Sequence, residues 1–192
     1  MAAVRAVPSA VASEPYEVLA EHQPDGTIAT SRNALGEMAS GDWLLYLDAD
    51  DELAPGYLDA IQEAHAHNPG SRVLFTPAVR QVRKGRPAAP SFFDRGISLR
   101  ADNWLVVGTV VHKDLFLEVG GFGDYPHGFE DFSLWSKCFR AGAEVVKVPD
   151  AVYVYYFNPQ SKHKQGWRNR KWQVETHQRV VRELDEWEAS QA

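Results

Sequence analysis

The chain has 192 residues, 44% of them hydrophobic and 24% charged, with a formal net charge of -6. That length suits one domain with a sizeable core, and the ordinary globular composition excludes disorder and fibrous repeats. The acidic balance argues against a general nucleic-acid binder. The single cysteine, Cys138, excludes an intramolecular disulfide and points to a reducing compartment.

The opening MAAVRAVPSAVAS carries one arginine and many small residues but no long apolar stretch, so it does not read as a secretory signal. A short helix is expected over 2–12 and a strand over 16–20. Residues 28–39 have helical spacing and stop at Ser40-Gly41. Residues 43–47, WLLYL, form a continuous apolar run, which predicts a strand buried on both faces. Pro55 suits the start of a helix that runs to about His67 and closes at Asn68-Pro69-Gly70. Strands are predicted over 72–76, 78–83 and 104–112, and a short helix over 113–119. A helix over 129–141 ends at Gly142, followed by strands over 144–148 and 151–157. The tail from 170 to 187 reads as a helix with Trp172, Thr176, Val180, Leu184 and Trp187 on one face. Alternating strands and helices predict an α/β protein, a mostly parallel sheet flanked by helices. No apolar run is long enough to span a bilayer, and a cytoplasmic enzyme is the expectation.

The first chemical signal follows the 43–47 run. Asp48, Asp50 and Asp51 emerge within four positions, where the carboxyl ends of strands in open α/β sheets bind ligands. Like charges so close need a cation or donor groups to offset them. A hard divalent cation such as Mg²⁺ would do so, sharing one or two carboxylates with substrate phosphates. A solvated acidic loop that caps the helix near Pro55 is the other reading of the same residues.

The stretch Ser31-Arg32-Asn33-Ala34-Leu35-Gly36, then Ala39-Ser40-Gly41-Asp42-Trp43-Leu44-Leu45-Tyr46-Leu47-Asp48-Ala49-Asp50-Asp51, resembles the glycosyltransferase family 2 pattern. A second match follows in the right order: Gly120-Gly121-Phe122, then Gly128-Phe129-Glu130-Asp131-Phe132-Ser133-Leu134-Trp135. The resemblance implies the GT-A fold, a Rossmann-like nucleotide-binding sheet joined to an acceptor-binding region. It implies an enzyme that moves a sugar from a nucleotide-diphosphate donor to an acceptor hydroxyl, inverting the anomeric centre and using Mn²⁺ or Mg²⁺. By the same resemblance Asp48 lies near the nucleotide and shares the metal site with Asp50, and Arg32 helps to hold the donor. Asp131 is the implied general base, and Glu130 orients the acceptor or supports the helix start. Residues 1–111 then form the nucleotide and metal part, 112–168 the acceptor part, and 169–192 a C-terminal helix.

Two departures stand out. The opening strand that usually cradles the nucleobase is missing, and the strand after it ends Glu21-His22-Gln23-Pro24-Asp25-Gly26. The chain is then a shortened version, or truncated, or completed by another subunit that adds to the sheet. The family's histidine near the metal is replaced by Asn158 or His163, with Lys162 and Lys164 able to neutralise the departing diphosphate. His112 and Trp104 are candidates for the acceptor pocket or for the core. The acceptor is expected to be a carbohydrate, lipid-linked or protein hydroxyl. The Trp-interleaved basic segment at 162–171 keeps a modified nucleic acid as an alternative acceptor, and a noncatalytic nucleotide- or sugar-binding module is the alternative to an enzyme.

Overall fold

The computed structural model describes residues 16–20, 26–125, 128–158 and 170–191. The elements run α1 (Ile28–Met38), β1 (Trp43–Leu44), β2 (Glu52–Leu53), α2 (Tyr57–His67), β3 (Val73–Arg83), β4 (Arg86–Pro87) and β5 (Val111–His112). They continue with α3 (Lys113–Glu118), α4 (Glu130–Arg140), β6 (Glu144–Tyr156) and α5 (Arg170–Ser190). One sheet has the order β2-β6-β3-β4 and a second pairs β1 with β5. Two backbone bonds between Phe75 and Val110 tie the two sheets together. The α/β expectation holds. The long β3–β6 ladder is parallel, from Val73 opposite Glu144 to Val82 opposite Tyr156, and the short pairings are antiparallel. The sheet is therefore parallel by length and mixed at its edges.

Several predicted strands change on inspection. The split at Pro77 disappears, because β3 runs through it. The register shifts there, with Val148 opposite Pro77 and Val152 opposite Ala78. A proline lacks the donor a regular ladder needs, and the bulge of residues 149–151 absorbs the irregularity. The run at 43–47 pairs only over Trp43 and Leu44, and it is not buried on both faces. Leu44 and Tyr46 are buried, Leu45 is half-buried and Leu47 is 49% exposed. The predicted strand at 104–112 shrinks to β5. Its first part is a turn in which the Leu105 N–H donates to the Asn103 side chain and the Thr109 N–H to the Val106 carbonyl. Residues 16–20 form no strand and lie outside both sheets, and Glu17 there accepts from the Ser40 N–H and hydroxyl. The helix expected over 2–12 lies outside the described residues.

The largest core cluster joins Leu44 and Tyr46 to Leu74, Val111, Leu115, Phe116, Phe122, Leu134 and Trp135. A second packs Tyr57 and Ile61 of α2 on Phe75, Val110 and Tyr153. A third seats Phe132 of α4 against Val180 and Leu184 of α5, the stripe the sequence showed. Each such side chain contributes about 1.5–3 kcal/mol on burial. Among the described residues no helix is long and apolar enough to cross a membrane.

α1 carries the first motif. Thr27 caps it, its hydroxyl accepting from the Thr30 N–H while the Thr30 hydroxyl accepts from the Thr27 N–H. Gly36 lets α1 press onto the core: a Cβ there would sit 2.4 Å from the Tyr46 hydroxyl and 2.6 Å from Phe116. Gly36→Ala is therefore expected to destabilise the fold by about 1–3 kcal/mol through overpacking, despite alanine's better helix propensity. Urea unfolding measures this, and an unchanged midpoint would mean that α1 packs more loosely than the structure shows.

Candidate active site

The acidic turn is a place where one carboxylate does structural work for the other two. The Asp51 N–H donates to the Asp48 carbonyl and closes the turn. The Asp51 carboxylate is buried and accepts from the Tyr153 hydroxyl at 2.8 Å and the Tyr156 N–H at 3.0 Å. Burial raises its pKa and these two donors oppose the rise. Asp51 thus pins the turn to the end of β6. The expectation that three carboxylates emerge is corrected to two: Asp48 is half-buried and Asp50 is exposed.

Arg32 on α1 connects the two acidic motifs. Its Nη2 donates to Asp48 Oδ1 at 2.5 Å and its Nη1 to Glu130 Oε1 at 3.1 Å. The side chain is 12% exposed, and its guanidinium lies over the Phe122 ring at 5.3 Å. Burial works against the charge, but Asp48 and Glu130 outweigh it and hold the pKa above its ordinary value. A planar fork that serves two carboxylates at once is a task for arginine rather than lysine.

The second motif sits at the start of α4. Gly128 and Phe129 both take positive φ, 125° and 75°, and this left-handed turn delivers Glu130 and Asp131 into the first helical turn. No side-chain cap is present, so carboxylates there meet free N–H groups and the favourable end of the helix dipole. Asp131 is half-buried; Oδ1 accepts from the Phe132 N–H at 2.7 Å and Oδ2 from Asn103 Nδ2 at 3.0 Å. Burial and then the Glu130 charge push its pKa up to about 7, while the Arg32 charge opposes them. A carboxylate tuned near neutrality, with one lone-pair region held by an amide, suits proton acceptance.

Two asparagines complete this arrangement. Asn33, inside the first motif, donates to the Phe122 carbonyl and accepts from the Phe122 N–H. Gly121 has φ +63, and a Cβ on it would meet the Asn33 side-chain oxygen at 2.4 Å. The asparagine of one motif and the glycine of the other are therefore one contact. Asn103 was missed by sequence reasoning. It lies 28 positions from Asp131, just before the stretch read as strand, and its only local signal was an Asp-Asn pair of the kind that makes turns.

Of the other candidates, His112 caps α3, its ring accepting from the Asp114 N–H at 3.2 Å, and it stands edge-on to Trp43. Trp104 packs against the largest core cluster. Lys162, His163 and Lys164, like Glu21, His22 and Asp25, lie outside the described residues. The groove between α5 and residues 100–101, about 520 Å³, is lined by Arg100, Arg140, His177 and Asp185 among others, and by none of the motif carboxylates.

The residues present fit a divalent cation in one particular sense. Among the described residues no group of three or more His, Cys, Asp or Glu is arranged to hold a metal alone. Asp50 and the half-exposed Asp48 offer hard oxygen donors, which suits an ion that takes one or two carboxylates and fills its remaining positions with phosphate oxygens and water.

Comparison with known proteins gives the family and the fold. The family model for glycosyl transferase family 2 matches residues 5–114. An uncharacterized glycosyltransferase of Haemophilus influenzae is 27% identical over 135 residues, which cover 67% of this chain and 46% of that protein. The crystal structure of S. aureus TarS 1-349 in complex with UDP-GlcNAc superposes with a TM-score of 0.57 at 16% identity, over 71% of this chain and 40% of that one. A further S. aureus TarS structure gives 0.54 at 17% identity, over 69% and 25%. These likenesses show the GT-A fold. The chain spans about half the length of the curated relative it matches.

The tuning of Asp131 has a thermodynamic signature. Its folded pKa lies above the ordinary 3.8, so between about pH 4 and about pH 7 this group holds more of a proton in the folded chain than in the unfolded one. Its contribution to stability then falls as pH rises through that window. Asp131→Asn is expected to flatten that decline. Urea titrations at several pH values test it, and equal slopes in both proteins would show that Asp131 titrates normally.

Proposed function

The chain belongs to glycosyl transferase family 2, and on that premise we propose that it transfers a sugar from a nucleoside-diphosphate donor to an acceptor hydroxyl. The observation that carries this reading is the double ion pair of Arg32. It brings the first acidic motif and the second to one guanidinium, which joins a donor-binding turn to a proton acceptor. In this reading Asp48 and Asp50 face the donor diphosphate and hold Mn²⁺ or Mg²⁺ with it. Such a cation, when bound, neutralises charge on the leaving diphosphate. Asp131 accepts the proton of the acceptor hydroxyl, and Asn103 holds the carboxylate in place. The hydroxyl oxygen bonds to the anomeric carbon as the bond to the diphosphate breaks, and a single displacement inverts that centre. Glu130 keeps Arg32 in register and leaves Asp131 as the one carboxylate free to take a proton.

Residues 1–111 supply the donor side and 112–168 the acceptor side, and α5 braces α4 through Val180 and Leu184 against Phe132. Lys162, His163 and Lys164 are assigned to the donor's phosphate and metal side. The acceptor is a carbohydrate, lipid-linked or protein hydroxyl.

Purified protein, incubated with a panel of nucleotide sugars and Mn²⁺, tests this by release of nucleoside diphosphate. Asp50→Asn and excess EDTA should each reduce release to background while the melting temperature holds, because Asp50 is exposed. Asp131→Asn should keep donor affinity and lower turnover by roughly two to four orders of magnitude. Full activity in EDTA would remove the metal from the scheme. A variant at 131 that loses affinity but keeps its rate would give Asp131 a binding role instead.

A further inference from the structure

The hairpin that joins β3 to β4 carries charge that the fold itself does not explain. Arg83 and Arg86 are direct cross-strand partners in an antiparallel pair, so they share one face with their Cβ atoms about 4.5–5.5 Å apart, and like charges placed so are destabilising. Between them Lys84 and Gly85 make the two-residue turn, both with positive φ, 50° and 73°. Such turns favour Asn, Asp or Gly at both places. A lysine there accepts backbone strain and sets a third cation at the tip. Arg80, three positions earlier on β3, points to the opposite face by strand alternation and is not part of this group.

None of the three cations meets a carboxylate among the described residues. Five of the nine other described arginines do: Arg32 pairs with Asp48 and Glu130, Arg72 with Glu118, Arg100 with Glu188, Arg140 with Asp185 and Glu188, and Arg179 with Glu183. In a chain of net charge -6, acidic residues are plentiful, and leaving a like-charge pair unmatched asks for an anion from outside. Arg83 is also held: its guanidinium lies over the Phe157 ring at 4.5 Å.

The hairpin adjoins the candidate active site. Val82 stands opposite Tyr156, and the Phe157 N–H donates to the Val82 carbonyl at 2.9 Å. The Tyr156 N–H donates to Asp51, the residue that anchors the acidic turn. Two consecutive residues of one segment thus touch the hairpin and the turn.

We propose that Arg83, Lys84 and Arg86 form a binding site for a phosphate group carried by the acceptor, held beside the donor site. This rests on the glycosyltransferase reading above and narrows its acceptor to phosphate-bearing molecules. Arginine's fork matches phosphate oxygens in a bidentate way, and Lys84 adds a point charge. The donor's own diphosphate is already served by Asp48 and Asp50 with a cation.

The test uses inorganic polyphosphate as the acceptor-side probe and UDP, GDP and dTDP with Mn²⁺ as donor-side probes. Calorimetry compares the full chain, the R83A/K84A/R86A variant and an R168A/R170A/K171A control. The proposal expects polyphosphate binding to fall at least tenfold in the hairpin variant only, with a shallower dependence on salt. Nucleoside-diphosphate affinity should be unchanged. Equal polyphosphate binding by the hairpin variant and the full chain overturns the proposal, as does loss confined to the control. Loss of nucleoside-diphosphate affinity in the hairpin variant also overturns it, because the cations would then serve the donor. If no nucleoside diphosphate binds the full chain, the glycosyltransferase reading fails, and the acceptor proposal falls with it; the polyphosphate arm alone then shows whether the hairpin is an anion site.

Discussion

The structure depends on one guanidinium placed between two sets of carboxylates. Without Arg32, Asp48 at the end of the first motif and Glu130 at the start of the second would face each other across a half-buried gap. Moving such charges out of water costs several kcal/mol per ion unless each finds a partner in good geometry. Arg32 answers both from a single side chain, and that fixes where α1, the acidic turn and α4 stand. The same residue explains why the glycines around it are needed. Gly36 lets α1 approach Tyr46, and Gly121 lets the 120–122 turn approach Asn33, the neighbour of Arg32. The electrostatic contact is possible only because backbone and side chain pack within van der Waals distance on either side of it.

A second constraint acts on the turn itself. Asp51 spends its lone pairs on Tyr153 and Tyr156, so the turn is tied to the longest strand in the sheet. That strand is in turn fixed by its parallel ladder with β3. The exposed Asp50 is therefore carried on a rigid base although it lies in a loop, the arrangement by which scaffolds present reactive groups.

Much of this was legible in the sequence, and the rest was not, for physical reasons. Helices were found nearly to their ends because caps and apolar spacing are local: α1, α2, α4 and α5 all begin and end within a few residues of the reading. The strands were less legible, because pairing is decided by partners far along the chain. The run at 43–47 has the composition of a two-face strand, yet only its first two residues find a partner. The proline in β3 looked like a break and became a bulge. The motif order named Arg32, Asp48, Asp50, Glu130 and Asp131 together, but not the ion pairs that join Arg32 to Asp48 and Glu130. Nothing local marks Asp51 as the buried one of three aspartates, since the tyrosines that bury it lie about a hundred positions away. Asn103 escaped for the same reason.

The charge balance around Arg32 leads to the behaviour of Asp131. Three carboxylates, Asp48, Glu130 and Asp131, act on one guanidinium, and two of them take its hydrogen bonds. The third must either find another donor or hold a proton. Asn103 and the Phe132 N–H each offer it one hydrogen bond, neutral donors that do not offset a full charge in a half-buried place. Burial and the adjacent Glu130 therefore prevail over the attraction of Arg32, and the Asp131 pKa rises. Burial first, and then the packing of three acids round one base, makes this particular carboxyl group easier to protonate than an ordinary aspartate. The ion pair that holds the site together and the proton affinity of its third carboxylate are thus two consequences of the same arrangement.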